Sequence, residues 1–113
     1  MSESTTETPV LDLLAAMTAQ SLEATTLGAE QAMLVRIAAL VAVDAPPVSY
    51  LLNLGAAGEI GIDDEQVRGV LAAVAPIVGT ARTTAAIANI AEALGLALEM
   101  AALEAELEDE QQS

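Results

Sequence analysis

Ser49, Tyr50 and Asn53 are the side chains whose types and spacing could do chemistry together. At i, i+1 and i+4 they share one side of a helix and present two hydroxyls and a carboxamide. With Arg36 or Arg82 supplying a guanidinium for a ligand carboxylate, they would form a small polar binding pocket. A structural alternative uses the same residues. Ser49 caps or bonds back to the chain, Asn53 satisfies a buried network, and Tyr50 packs with its hydroxyl at the surface. Ser49 as a nucleophile would need a base, and the chain has neither histidine nor lysine, which leaves a carboxylate, Asp44 being the nearest.

The missing residue types narrow the chemistry further. Without cysteine or histidine there is no thiolate, no disulfide scaffold and no imidazole relay. Asp63, Asp64 and Glu65 are clustered carboxylates, but their spacing fits no calcium loop, and a helix start accounts for them through capping and the macrodipole. No metal and no cofactor is therefore expected. Arg36 is the one cation on a mostly apolar helix, so a carboxylate partner in the core or at an interface is expected, with anion binding as the second explanation.

Five helices must position these residues, and no strand pattern competes with them. Thr8 and Pro9 start the first as N-cap and first helical residue, and its apolar face holds Leu11, Leu14, Ala15, Thr18 and Leu22 to about Glu23. The Thr25–Gly28 break leads to a second helix over residues 29–43, apolar almost all round and so expected at the centre. Asp44-Ala45-Pro46-Pro47 ends it and begins the third helix, residues 47–59. Ile62-Asp63-Asp64-Glu65-Gln66-Val67 opens the fourth with Asp63 as N-cap, Gln66 at N3 and an Ile62/Val67 staple. That helix runs to about Val78, and Pro76 predicts a kink or an early stop. After Gly79 the last helix spans residues 81–109. Its Ile87, Ile90, Ala91, Leu94 and Leu98 are read as the packed face, and its Leu96, Met100, Leu103 and Leu107 as a contact with another subunit. Residues 1–7 read as a disordered acidic tail, 8–109 as one helical domain, and 110–113 as a frayed end.

Composition sets the outer bounds. The chain has 113 residues, 54% of them apolar, yet Tyr50 is its only aromatic. Small apolar side chains bury little area each, at roughly 25 cal/mol per Å². Such a domain gains most by burying a further face against copies of itself, so a homo-oligomer is expected. Seventeen acidic residues against Arg36, Arg68 and Arg82 give a net charge of −14. Phosphate backbones and anionic membrane surfaces would be repelled, so neither nucleic acid nor membrane is an expected partner. The longest uncharged apolar run, residues 69–81, is too short to span a bilayer, and the acidic start is no signal peptide, which makes a cytoplasmic location the expectation. The acidic end could dock on a basic partner, although a solvated helix end explains it as well.

The order of these elements resembles the carboxymuconolactone decarboxylase family, which includes the alkylhydroperoxidase D-like proteins. The resemblance covers residues 27–94. It rests on an apolar helix, the short break, the helix over 47–59, the turn Ile60-Gly61-Ile62-Asp63, an acidic-start helix with Val70-Leu71-Ala72-Ala73-Val74, the Gly79 break and an Ala-rich closing helix. It implies an alkylhydroperoxidase D-like bundle of about five helices, assembled as trimers or hexamers. Redox members of that family carry Cys-x-x-Cys, a histidine four residues later and a glutamate in the preceding helix. Aligned on Gly61, those positions fall on Pro46, Ser49, Asn53 and Leu34. None keeps its functional type, so hydroperoxide reduction is not expected. The lactone-decarboxylating branch keeps the histidine position, where Asn53 can hydrogen-bond but cannot titrate near neutral pH.

The sequence therefore predicts an all-α, cysteine-less, oligomeric member of this group without its redox site, for which a small-molecule ligand remains open. Two alternatives stand beside it. One is a lactone-decarboxylase-type enzyme using Ser49, Tyr50, Asn53, Arg36 or Arg82; the other is an interaction or scaffold protein.

Overall fold

The computed structural model describes residues 7–112, all helix and connecting turn, with no strand among them. The helices are α1 (Pro9–Ala24), α2 (Ala29–Ala42), α3 (Pro47–Glu59), α4 (Asp64–Val78) and α5 (Thr80–Gln112). Nine of the ten helix ends fall within a residue or two of those the sequence predicts, because local chemistry sets them. Asp63 Oδ1 accepts from the Gln66 backbone N–H at 2.9 Å, and Gln66 Oε1 accepts from the Asp63 N–H at 3.1 Å. This is the reciprocal capping box expected there. Pro9 occupies the first turn of α1, while the Thr8 hydroxyl donates to Asp12 (3.3 Å) and makes no bond to the helix backbone.

The turns use backbone conformations that their residues tolerate. Asp44 has φ of 57°, and the following Ala45 N–H bonds back to Leu40 O at 3.0 Å. Gly61, at φ 92°, repeats the arrangement with Ile62 N–H on Ala57 O. Gly79 is more extreme. Its φ of 91° with ψ of 168° lies in a region reserved for glycine, and it lets α5 begin immediately after α4. Nothing lies within 4 Å of where its Cβ would be, so a side chain there meets a purely backbone cost. Gly79→Ala is expected to lower stability by about 1–3 kcal/mol, read as a shift in denaturation midpoint with unchanged slope.

α2 lies at the centre, as its all-round apolarity predicts, and packs against α3, α4 and α5. Its Met33, Ile37 and Val41 join Tyr50, Ala57, Ile62, Val67, Ala86, Ile90 and Ala93 in one core. Two α5 side chains stitch the α2–α3 corner: Arg82 donates to Ala42 O, and Asn89 Nδ2 donates to Ala45 O at 3.3 Å. Both satisfy carbonyls left over where α2 ends.

Several sequence expectations are corrected. The face of α5 that packs is Ala86, Ile90 and Ala93, whereas Ile87, Leu94 and Leu98 are exposed. Small alanines let α3 approach closely, so they displace the larger residues from the contact. α5 is helical to Gln112, three residues past the end expected from the sequence. Pro76 does not stop α4, which runs two residues further. The apolar face of α1 is not packed either, since no residue of that helix is buried. α5 is also long and apolar enough, by length and composition, to cross a membrane, although isolated charges interrupt it and leave no uncharged run of that length. Of the tail expected over residues 1–7, residues 1–6 lie outside the described residues, as does Ser113.

Candidate functional site

Ser49, Tyr50 and Asn53 sit on α3, but their polar groups do not converge. The Asn53 amide donates to the Ser49 backbone carbonyl at 2.9 Å, a bond within the helix that occupies one donor. Tyr50 is fully buried, among the largest side chains of the core, and its hydroxyl has no protein hydrogen-bond partner. The sequence allowed a surface hydroxyl; the structure places it inside. Burial, and then the negative charge of Asp44, push its pKa above the ordinary tyrosine value. Pro46 is the exposed residue before α3, and Leu34 is half-buried against the core. Of these positions, Leu34 packs against the core and Asn53 bonds within its own helix.

The arginines are bound elsewhere. Arg36 Nη2 donates to Ser21 Oγ (2.9 Å) and to the Thr18 carbonyl (3.4 Å), tying α1 to α2. The carboxylate expected beside Arg36 is replaced by neutral oxygen atoms of α1. A cleft of about 120 Å³ lies beside these groups, between Ser21, Leu27, Ala32 and Val35. Arg82 is committed to the end of α2. Among the described residues no cluster of carboxylates is arranged to hold a metal ion.

A larger concavity than that cleft involves the end of α3. It is a half-open groove of about 660 Å³ between α4 and α5, floored by the end of α3. Its walls are apolar, with Leu71 and Ala75 from α4 and Ile87, Ile90 and Leu94 from α5. Leu54 and Ile62 close the α3 end. The stripe that the sequence assigned to a packed face of α5 is one wall of this groove. Polar groups appear at the rim: Asp63, Asp64, Arg68 and Thr83. Arg68 pairs with Asp64 at 2.5 Å across one helical turn, and chiefly the hydrogen bond it donates, with backbone N–H bonds and its positive charge adding to it, holds the Asp64 carboxyl below its ordinary pKa. Both side chains are largely exposed, so the pair contributes little to stability. Thr83 is turned inward on the backbone, its hydroxyl donating to Gly79 O at 2.8 Å.

This groove was not read from the sequence. Arg68 looked like an ordinary solvated charge beside a capping box, and nothing in local spacing says that α4 and α5 diverge. A usable signal was the surplus of large apolar residues on α5 beyond what one packed face needs. Compared with family models, with curated proteins and with solved structures, the chain matches none.

Proposed function

We propose that this chain is a non-redox, self-associating helical protein that acts through its assembled apolar surfaces, a descendant of the carboxymuconolactone decarboxylase-like group that no longer carries the redox site. The ancestry is supported by the helix order and punctuation over residues 27–94. The absence of cysteine and histidine supports the non-redox reading. One observation carries the rest: the chain exposes too much surface to be finished alone. Its accessible area is 7884 Å², whereas a folded monomer of 11.5 kDa exposes about 5,800 Å². The excess is larger than the roughly 800 Å² that each partner buries in a standard interface. Its radius of gyration is 16.7 Å, against about 13 Å for a compact domain of this length.

The exposed residues are large and apolar. Val10, Leu11, Leu13, Leu14 and Met17 on α1, and Leu96, Leu98, Met100, Leu103 and Leu107 on α5, all stand in solvent in the single chain. Burial between copies removes them from water without a membrane, and the packing of Ala86, Ile90 and Ala93 into the bundle favours this over insertion of α5 into a bilayer. A cytoplasmic location follows from the same reading.

Sedimentation or light scattering over a concentration series tests it. The expected mass is a multiple of 11.5 kDa at micromolar protein, three- or sixfold if the family resemblance extends to assembly. With a net charge of −14 per chain, association should tighten as salt screens the repulsion. A monomer mass throughout, at low and high salt, sinks the proposal. Hydroperoxide turnover would overturn its non-redox part.

A further inference from the structure

We infer that α1 of a neighbouring copy of this chain occupies the groove between α4 and α5, an inference that rests on the self-association proposed above. The two surfaces fit in length. α1 has 16 residues and α4 has 15, so both run about 22–24 Å at 1.5 Å per residue. They fit in pattern. Val10, Leu13, Leu14 and Met17 fall at i, i+3, i+4 and i+7, the spacing by which an amphipathic helix anchors in an apolar groove, and each is at least half exposed. Charge does not select the pairing: α1 carries Asp12 and Glu23, and on the groove rim Asp63 is turned into its own helix cap while Asp64 is paired with Arg68.

The area argument selects this pair of surfaces over others. α1 is an entire helix with no buried residue, held beside α2 by the Arg36 bonds to its backbone and to Ser21. Those bonds hold the last turn of α1 beside its own α2 through Ser21, which continues the Val10, Leu14 and Met17 stripe, while Val10, Leu13, Leu14 and Met17 themselves stay at least half exposed. A second copy supplies the matching groove. Reciprocal exchange between two copies closes a symmetric pair; one-way donation closes a ring, and either uses the same contact. The acidic second half of α5, by contrast, carries Glu99, Glu104, Glu106, Glu108 and Asp109 among its apolar residues, and like charges would face one another there.

The lack of native cysteine makes the test clean. Chains carrying Met17→Cys and chains carrying Ala72→Cys, mixed and treated with a short bismaleimide, should give a covalent heterodimer. Met17→Cys mixed with Ala102→Cys, on the exposed end of α5, should give little. In parallel, Leu14→Glu with Met17→Glu should weaken association at least about 100-fold while leaving the helical circular dichroism of the chain intact, because neither residue is buried in the single chain. That variant should also bind an apolar dye more strongly than the parent, its groove having lost its occupant. An oligomer that persists in the double-Glu variant, or that shows no Met17–Ala72 link, overturns the inference while leaving self-association standing. A monomeric parent chain overturns both. A link formed within one chain of the Met17→Cys/Ala72→Cys double variant, with none between chains, overturns the inference in favour of closure in cis. Preferential transfer of the parent chain to phosphatidylcholine vesicles overturns it in favour of a membrane.

Discussion

An Ile37→Ala variant is expected to lose about 2–5 kcal/mol of stability, the range for a large-to-small change in a core that collapses only partly. Ile37 lies at the middle of α2 with no exposed surface, and α2 is the helix that touches α3, α4 and α5. The neighbours cannot fill the space. Met33 and Val41 are held on the same helix one turn away, and the α5 residues facing the core include Ala86 and Ala93, which have no reach. Since small domains are stable by only about 5–15 kcal/mol in total, a loss at the top of the expected range from a domain near the bottom of this one would leave Ile37→Ala about half unfolded. Denaturation midpoints measured at fixed protomer concentration read the effect without the contribution of association. Leu98→Ala is the contrasting case. Leu98 is 72% exposed, so in the dissociated chain its removal should change stability by no more than about 0.5 kcal/mol. If the two variants lost similar amounts, α2 would not be the centre of the core.

The same contrast shows what the sequence could and could not reveal. Helix boundaries were legible because they are local. Asp63 with Gln66, Pro9, the Pro46-Pro47 pair and Gly79 each act through bonds or torsions within a few residues. Which face of a helix is buried is not local. α5 is apolar on more than one side, so periodicity offers several packed faces and cannot choose among them. The choice fell to Ala86 and Ala93, which allow α3 close, and left Ile87 and Leu94 to line an open groove. α1 makes the point from the other direction. Its pattern announces an apolar face, and periodicity says nothing about what covers it. The α3 residues were misleading for a different reason. Ser49 and Asn53 are one turn apart, which places them together for ligand binding and equally for bonding to one another. The second outcome needs no partner and is the one observed for the Asn53 amide. Arg68 gave no signal because its sequence neighbours explain it without reference to the groove.

Tyr50 separates packing from polarity in a single residue, and its two truncations should differ widely. Tyr50→Ala removes the largest buried side chain and is expected to cost about 3–5 kcal/mol, as for other large aromatics. Tyr50→Phe keeps the ring and removes a hydroxyl that has no protein partner. A buried polar group left in that state costs about 1–3 kcal/mol, so the phenylalanine variant should match or exceed the parent in stability. The alkaline limb of stability gives an independent reading. Burial raises the Tyr50 pKa above its ordinary value near 10, so above that pH the unfolded chain releases the phenolic proton while the folded chain keeps it. The stabilisation is therefore complete below about pH 10 and declines as pH rises from there through the folded value. The chain has no lysine or cysteine, and its arginines stay protonated, so few other groups confuse that region. The absorbance of tyrosinate follows one residue, because Tyr50 is the only tyrosine and there is no tryptophan. Its ionisation should lag that of the unfolded chain and then coincide with unfolding, and Tyr50→Phe should flatten the alkaline loss. Ionisation at the ordinary value without unfolding would place the hydroxyl in water and remove the ring from the centre of the core.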